Sequence, residues 1–178
     1  MRRLAASVLL LLCATPVFAA LKPGAAAPTF TAPAYLAGQP YTFDLKASLA
    51  KGPVVLYFFP AAFTPGCNAE AAAFSQAIDK FKAQGASVVG VTAGNTGRLA
   101  EFSKDIEKCA GKFPVAADEG AKIAKSYDAT MTMKPDLSSR TSYLIGKDGR
   151  IAAVFDSMNP NQHVKEMLEA VTALKDKR

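Results

Sequence analysis

The sequence predicts an α/β fold, a central mixed sheet flanked by helices on both faces, and three observations carry that expectation. The run "PVVLYFF", Pro53 to Phe59, is continuously apolar and rich in β-branched and aromatic residues, as in strands buried on both faces. The period then changes: Cys67, Ala71, Phe74, Ile78 and Phe81 recur at steps of four and three, the apolar stripe of a helix. Near the C-terminus "TSYLI" and "RIAAVF" flank "GKDG", whose Asp148-Gly149 suits the tight turn of a hairpin. Two strand-helix units, a hairpin and a last helix make one helix-covered sheet, although the pattern alone admits other α/β topologies.

Taken in order, the chain opens with Arg2 and Arg3, an apolar run from Leu4 to Leu12, and the small-residue site Val17-Phe18-Ala19. This is the pattern of a cleaved secretory signal over residues 1–19, and it predicts an exported protein, in a bacterial periplasm or fully secreted. The run is shorter than the roughly 20 apolar residues of a membrane span. Cys13 follows Leu12, where lipoprotein processing needs a small residue, so it is expected to leave with the signal.

The remainder, residues 20–178, has the length of one domain and contains no internal repeat or linker. An Ala- and Pro-rich stretch, residues 22–45, shows no clear period. The strand at 53–59 leads to a helix from Gly66 or Cys67 to Gln84-Gly85, where the glycine suits a C-cap. "SVVGVT" (Ser87 to Thr92) predicts a second buried strand and "GNTG" the loop after it. Leu99, Phe102, Ile106 and Cys109 then predict one face of a helix closed by Gly111. "FPVAAD" suggests a short strand, and Ile123 with Tyr127 a short helix begun at Asp118 or Glu119. "DATMTMKPDLSSR" has no period and is expected to be a loop. Val164, Leu168, Val171 and Leu174 mark the final amphipathic helix.

Composition narrows the chemistry. Arg2 and Arg3 carry two of the six net positive charges, leaving +4 beyond the predicted signal. Those charges are scattered as "KDIEK", "DKFK" and "KDKR" without a basic stripe, which argues against a nucleic-acid partner. Cys67 and Cys109 are the cysteines of the predicted mature chain, and position 70 is Glu70, so a CxxC centre at Cys67 is excluded. A structural disulfide between the two remains an open reading at this point. With His163 the one histidine, a Cys/His zinc site has too few ligands; His163 itself is expected to be solvated.

The setting of Cys67 is unusual for a structural thiol. It falls just past a strand's C-terminal end, in a helix's first turn, where unpaired N–H groups and the helix dipole favour thiolate, the nucleophilic form. Pro60 stops the strand, Pro65 fixes the turn, and Thr64 is placed to hydrogen-bond a small polar ligand over the sulfur. Phe63 reads equally as a pocket wall or a packing anchor, and Met131 and Met133 as lining a loop or substrate approach.

Pro60, Thr64 and Cys67 reproduce P-x-x-x-T-x-x-C, and "TPGCNAE" resembles the "TPGCTTE" segment of the Q-type, or bacterioferritin-comigratory, subgroup of the peroxiredoxins within the AhpC/TSA superfamily. "ASVVGVTAGN", "KFPVAADEGAKIAKSYDA" and "RTSYLIGKDGRI" are similar to later landmarks of that family. The resemblance implies a thioredoxin-like fold and a thiol peroxidase acting on hydrogen peroxide and small organic hydroperoxides without metal, haem or flavin. It implies Cys67 as the peroxidatic cysteine, Thr64 as the peroxide's hydrogen-bond partner, Pro60 as a shield against water, and Arg140 as the stabilising cation, with Glu70 orienting it. Many Q-type members carry a resolving cysteine five residues after the peroxidatic one; here that residue is Ala72, and Cys109 becomes the candidate. Turnover is then expected to use a thioredoxin-like reductant, with the protein a monomer or weak dimer and without stable membrane association. The rival expectations are a one-cysteine peroxidase with a structural Cys109, and a non-catalytic thioredoxin-fold binding or chaperone module held by a permanent disulfide.

Overall fold

The computed structural model describes residues 20–176, so the predicted signal over residues 1–19 lies outside the described residues. In chain order the elements are β1 (Thr31–Leu36), β2 (Gln39–Asp44), α1 (Leu45–Lys51), β3 (Val54–Phe58), α2 (Pro65–Ala83), β4 (Ser87–Thr92), α3 (Leu99–Lys104), β5 (Val115–Ala117), α4 (Lys122–Ser126), β6 (Thr130–Met131), β7 (Lys134–Ser138), β8 (Thr141–Ile145), β9 (Ile151–Asp156) and α5 (His163–Asp176). Seven strands form one sheet in the order β2-β1-β5-β4-β3-β8-β9, while β6 and β7 pair separately. β3 runs parallel to β4 and antiparallel to β8, so the sheet is mixed, as expected.

Helices cover both faces. On one, Phe74, Ile78 and Phe81 of α2, Leu99 and Phe102 of α3, and Met167 and Val171 of α5 pack on Val55, Tyr57 and Phe59. On the other, Leu45 and Leu49 of α1 and Ala124 of α4 pack on Val54, Leu56 and Phe58. The alternation along β3 thus feeds two cores, which is why the run shows no polar residue. A side chain at Gly90 in β4 would have its Cβ 2.7 Å from the Tyr57 ring, so the glycine makes room for that ring.

The structure corrects the sequence reading in four places. The Ala- and Pro-rich stretch folds into the β1-β2 hairpin and α1. Ala37 and Gly38 take φ of 52° and 81° in its two-residue turn, and Asp44 caps α1 by accepting from the Ala47 N–H at 2.8 Å. The helix expected to carry Cys109 ends at Lys104. Asp105 is extended, and its carboxylate accepts from the Glu107 N–H at 2.9 Å and from Lys108 Nζ at 2.6 Å, a side-chain turn that competes with helix. Ile106, placed on the apolar face by its spacing, is 86% exposed. The stretch read as a loop before Arg140 contains the small β6-β7 pair. Finally, the buried stripe of α5 is His163, Met167 and Val171, so His163 is buried and not solvated.

Candidate active site

The segment leaving β3 is held against the end of β4. The Phe59 N–H donates to the Val91 carbonyl at 3.1 Å, and Thr92 Oγ1 donates to the Pro60 carbonyl at 3.1 Å. Asn95 Nδ2 donates to the Ala62 carbonyl at 2.7 Å. The fit is close: a Cβ at Gly94 would lie 2.4 Å from the Pro60 oxygen, so only glycine is accommodated there. Phe63 takes φ of 63°, and its ring packs edge-on against Phe102 with the Arg98 guanidinium 3.8 Å above it. It is therefore a packing anchor, half-buried, joining this segment to α3.

Thr64 is the N-cap of α2 in an extended conformation, with Pro65 opening the helix. Its side chain makes no capping bond; the hydroxyl donates to the Ala61 carbonyl at 3.0 Å, which leaves its oxygen free to accept. Cys67 follows in the first turn and is 1% exposed. The amides of that turn have no intrahelical acceptor, and Cys67 lies at this positive end of the helix.

Arg140 reaches the same place from the other side of β3. Because β8 is antiparallel to β3 with Phe58 opposite Thr141, the residue before β8 lies where the chain leaves β3. Arg140 Nη2 donates to Cys67 Sγ at 3.5 Å, Nη1 pairs with Glu70 Oε2, and Nε donates to the Met158 carbonyl at 3.1 Å. Glu70, one turn along α2 from Cys67, is fully buried. Burial pushes its carboxyl up to about 8 against the opposing pull of the Arg140 charge.

Behind Glu70 lies His163. Its Nδ1 is 2.8 Å from Ser142 Oγ and 3.5 Å from Glu70 Oε1, and its Nε2 is 2.8 Å from the Ser157 carbonyl. Burial drives its pKa down. The spacing of His163, Met167 and Val171 at steps of four was the available signal that this histidine faces inward.

Cys109 is fully buried in the same apolar cluster as Cys67, in the turns between Asp105 and Gly111, and both cysteines are free thiols. Burial pushes the Cys109 thiol well above its ordinary range; the Asp105 carboxylate adds to this and the Lys108 charge opposes it. Met131 and Met133 lie with Met158 and Asp156 around an open cleft, Met133 being almost wholly exposed. The structure thus joins Cys67, Glu70 and Arg140, with Thr64 at the head of the same helix turn, while Pro60 is held to β4. The holding groups Thr92, Gly94, Asn95, Ser142 and Ser157 were not singled out from sequence.

The AhpC/TSA family model matches residues 23–154. Among curated relatives, the chloroplastic peroxiredoxin Q of Sedum lineare is 34% identical over 161 residues, covering 89% of this chain and 82% of that one. The peroxidoxin BcpB of Mycobacterium tuberculosis superposes with a TM-score of 0.74 at 27% identity, covering 86% of this chain and 98% of that one. The AhpC of the same organism shares the fold with a TM-score of 0.76 at 20% identity, covering 90% and 96%. The expectation of a periplasmic or secreted protein is corrected by these relatives. The peroxiredoxins Q of Sedum lineare and Populus jackii are named chloroplastic, an organellar and not a periplasmic place. By its family match, its relatives and its fold, the chain belongs to the AhpC/TSA family: it is a peroxiredoxin, an oxidoreductase of the thiol-dependent peroxidase class.

Proposed function

We propose that the chain reduces hydrogen peroxide and small organic hydroperoxides at Cys67. The observation that carries the reading is the guanidinium of Arg140, 3.5 Å from Cys67 Sγ in the first turn of α2. The thiolate attacks one peroxide oxygen, the O–O bond breaks, and the departing oxygen takes a proton to leave as water or an alcohol. Cys67 is left as a sulfenic acid. Negative charge grows on the departing oxygen, and Arg140 together with the amides of the helix turn is aimed at it before the reaction begins. Thr64, with its donor committed to Ala61, accepts from the peroxide hydroxyl; Pro60 closes the pocket to bulk water.

The sulfenic acid is then consumed by a thiol, with release of water and formation of a disulfide. Cys109 is the internal candidate, and a thioredoxin-like dithiol regenerates the pair. Bridging requires the two Cα atoms to come within about 7 Å, and in this reading the first turn of α2 and the turns from Asp105 to Gly111 open to bring the sulfurs together. Hydrogen exchange that is faster in both segments of the oxidised protein supports this; unchanged protection counts against it. One observation favours a second reading. Cys109 is fully buried, with its thiol pushed up, as in a structural residue. An external thiol then attacks Cys67 directly.

The deciding experiment is intact mass with free-thiol count after mixing reduced protein with one equivalent of hydrogen peroxide. Loss of both thiols in a monomeric disulfide supports the pair. Gain of one oxygen with Cys109 still free selects the one-cysteine route, and two untouched thiols overturn the peroxidase assignment of Cys67. Native mass on the same samples tests the expected monomer or weak dimer.

A further inference from the structure

The groups behind Arg140 are arranged around a position for one proton. His163 Nε2 faces the Ser157 carbonyl, which can only accept, so Nε2 carries a hydrogen. In the neutral ring Nδ1 is then a bare acceptor, and it faces Ser142 Oγ at 2.8 Å and Glu70 Oε1 at 3.5 Å. Glu70 Oε2 is taken by Arg140, whereas Oε1 is buried and has no hydrogen-bond partner. A carboxylate oxygen left unpaired in the interior is costly, and the more so opposite a nitrogen lone pair. A proton between Oε1 and Nδ1 removes that cost, whether it rests on the carboxyl or on the ring. Ser142 fits both cases, because its hydroxyl can donate to a neutral Nδ1 or accept from a protonated one.

We propose that Glu70 and His163 hold one proton between them, and that this proton sets how much of the Arg140 charge is directed to Cys67. With the proton in place the Glu70-His163 pair is neutral, and the guanidinium presents an uncompensated positive charge to the sulfur. Without it, the Glu70 carboxylate neutralises Arg140 from the opposite side. The directions agree: burial raises Glu70 to about 8 and lowers His163, so near neutral pH the proton rests on the carboxyl. The other titratable groups facing the pair are Arg140 before β8, Cys67 on α2, the Tyr57 hydroxyl on β3 and Asp156 at the end of β9. Tyr57 stays neutral because burial raises its phenol well above its ordinary value. In this scheme His163 is a positioning residue that acts through Glu70, and the inference rests on the reading of Cys67 given above.

His163 is the single histidine of the chain, so an untagged sample gives a clean ring signal. The experiment follows the ¹⁵N signals of the ring from pH 5 to 10, alongside the stopped-flow rate of Cys67 oxidation by hydrogen peroxide. The wild type is expected to show a ring-nitrogen step near pH 8 and a fall in rate over the same range, on the order of tenfold. Glu70→Gln is expected to lose both the step and the fall. His163→Gln keeps hydrogen-bonding groups but cannot hold the proton, and is expected to move the fall to lower pH. A flat ring signal in the wild type, the same step in Glu70→Gln, or a His163→Gln profile lowered equally at every pH overturns the shared proton. The wild-type and Glu70→Gln titrations decide the question even where His163→Gln does not fold. A wild-type Cys67 that does not react with peroxide overturns the peroxidatic assignment alone, because the ring titration still reads the proton pair.

Discussion

Cys67 and Cys109 lie in one apolar cluster and are almost equally hidden, at 1% and 0% exposure, yet their surroundings are opposite. Cys67 is the third residue of a nineteen-residue helix, with a guanidinium at 3.5 Å. Cys109 sits in turns beyond a six-residue helix, and its thiol is pushed up chiefly by burial. Burial therefore does not rank the two sulfurs. What distinguishes them is geometry: a guanidinium donates to Cys67 Sγ, while Cys109 lies in turns beside the paired Asp105 and Lys108.

The sharpest break in this contrast is Cys67→Ser, which is expected to abolish peroxide reduction in a coupled thiol-consumption assay. Cys109→Ser is expected to leave the first oxidation of Cys67 intact. Next in size, Arg140→Ala is expected to slow Cys67 oxidation by about 10²- to 10³-fold, the loss typical of removing one preorganised donor. It also leaves the buried Glu70 Oε2 without its hydrogen-bond donor, at a cost of about 1–3 kcal/mol in denaturant unfolding near neutral pH. Stability that is unchanged in Arg140→Ala counts against the pair as drawn. A smaller effect is expected from iodoacetamide at neutral pH: peptide mapping finds Cys67 alkylated roughly tenfold faster than Cys109 in the folded protein, and the two alike after unfolding. Equal labelling in the folded state erases the distinction.

The smallest effect concerns stability against pH. The folded pKa of Glu70 is raised from 4.5 to about 8, so its contribution is complete below 4.5 and is lost as pH rises toward 8. The lowered pKa of His163 acts in the opposite sense, its contribution being present above 6.5 and lost as pH falls below it. Glu70→Gln is therefore expected to flatten the decline in Tm between pH 6.5 and 8; a decline identical to wild type removes Glu70 as its source.

Much of the site was legible because its signals are local. Pro60, Thr64 and Cys67 lie within eight residues, and the change from a continuous apolar run to a helical stripe places Cys67 at the junction. Arg140 and Glu70 were named only through family resemblance, since nothing in their own neighbourhoods marks them as partners. The β1-β2 hairpin was missed because Ala32 and Ala34 fill its inward positions and Pro33 and Pro40 interrupt its pattern. Alanines give little hydrophobic contrast, and prolines argue against a strand. The helix assigned to Cys109 failed at Asp105, where a side-chain turn outweighs an apolar spacing that Ile106, left exposed, does not obey. His163 was misplaced because a histidine was given no weight in the α5 stripe, although its spacing to Met167 and Val171 fits.

The antiparallel pairing of β3 with β8 carries a consequence for how the protein matures. Arg140 meets Cys67 across 73 residues of chain, and His163 arrives later still, at the head of the last helix. While the chain is being synthesised, the sulfur and its loop are complete long before the guanidinium that comes to lie beside them has been made. The contact between Cys67 and Arg140 therefore forms late, and an unfinished chain carries that thiol without its guanidinium neighbour.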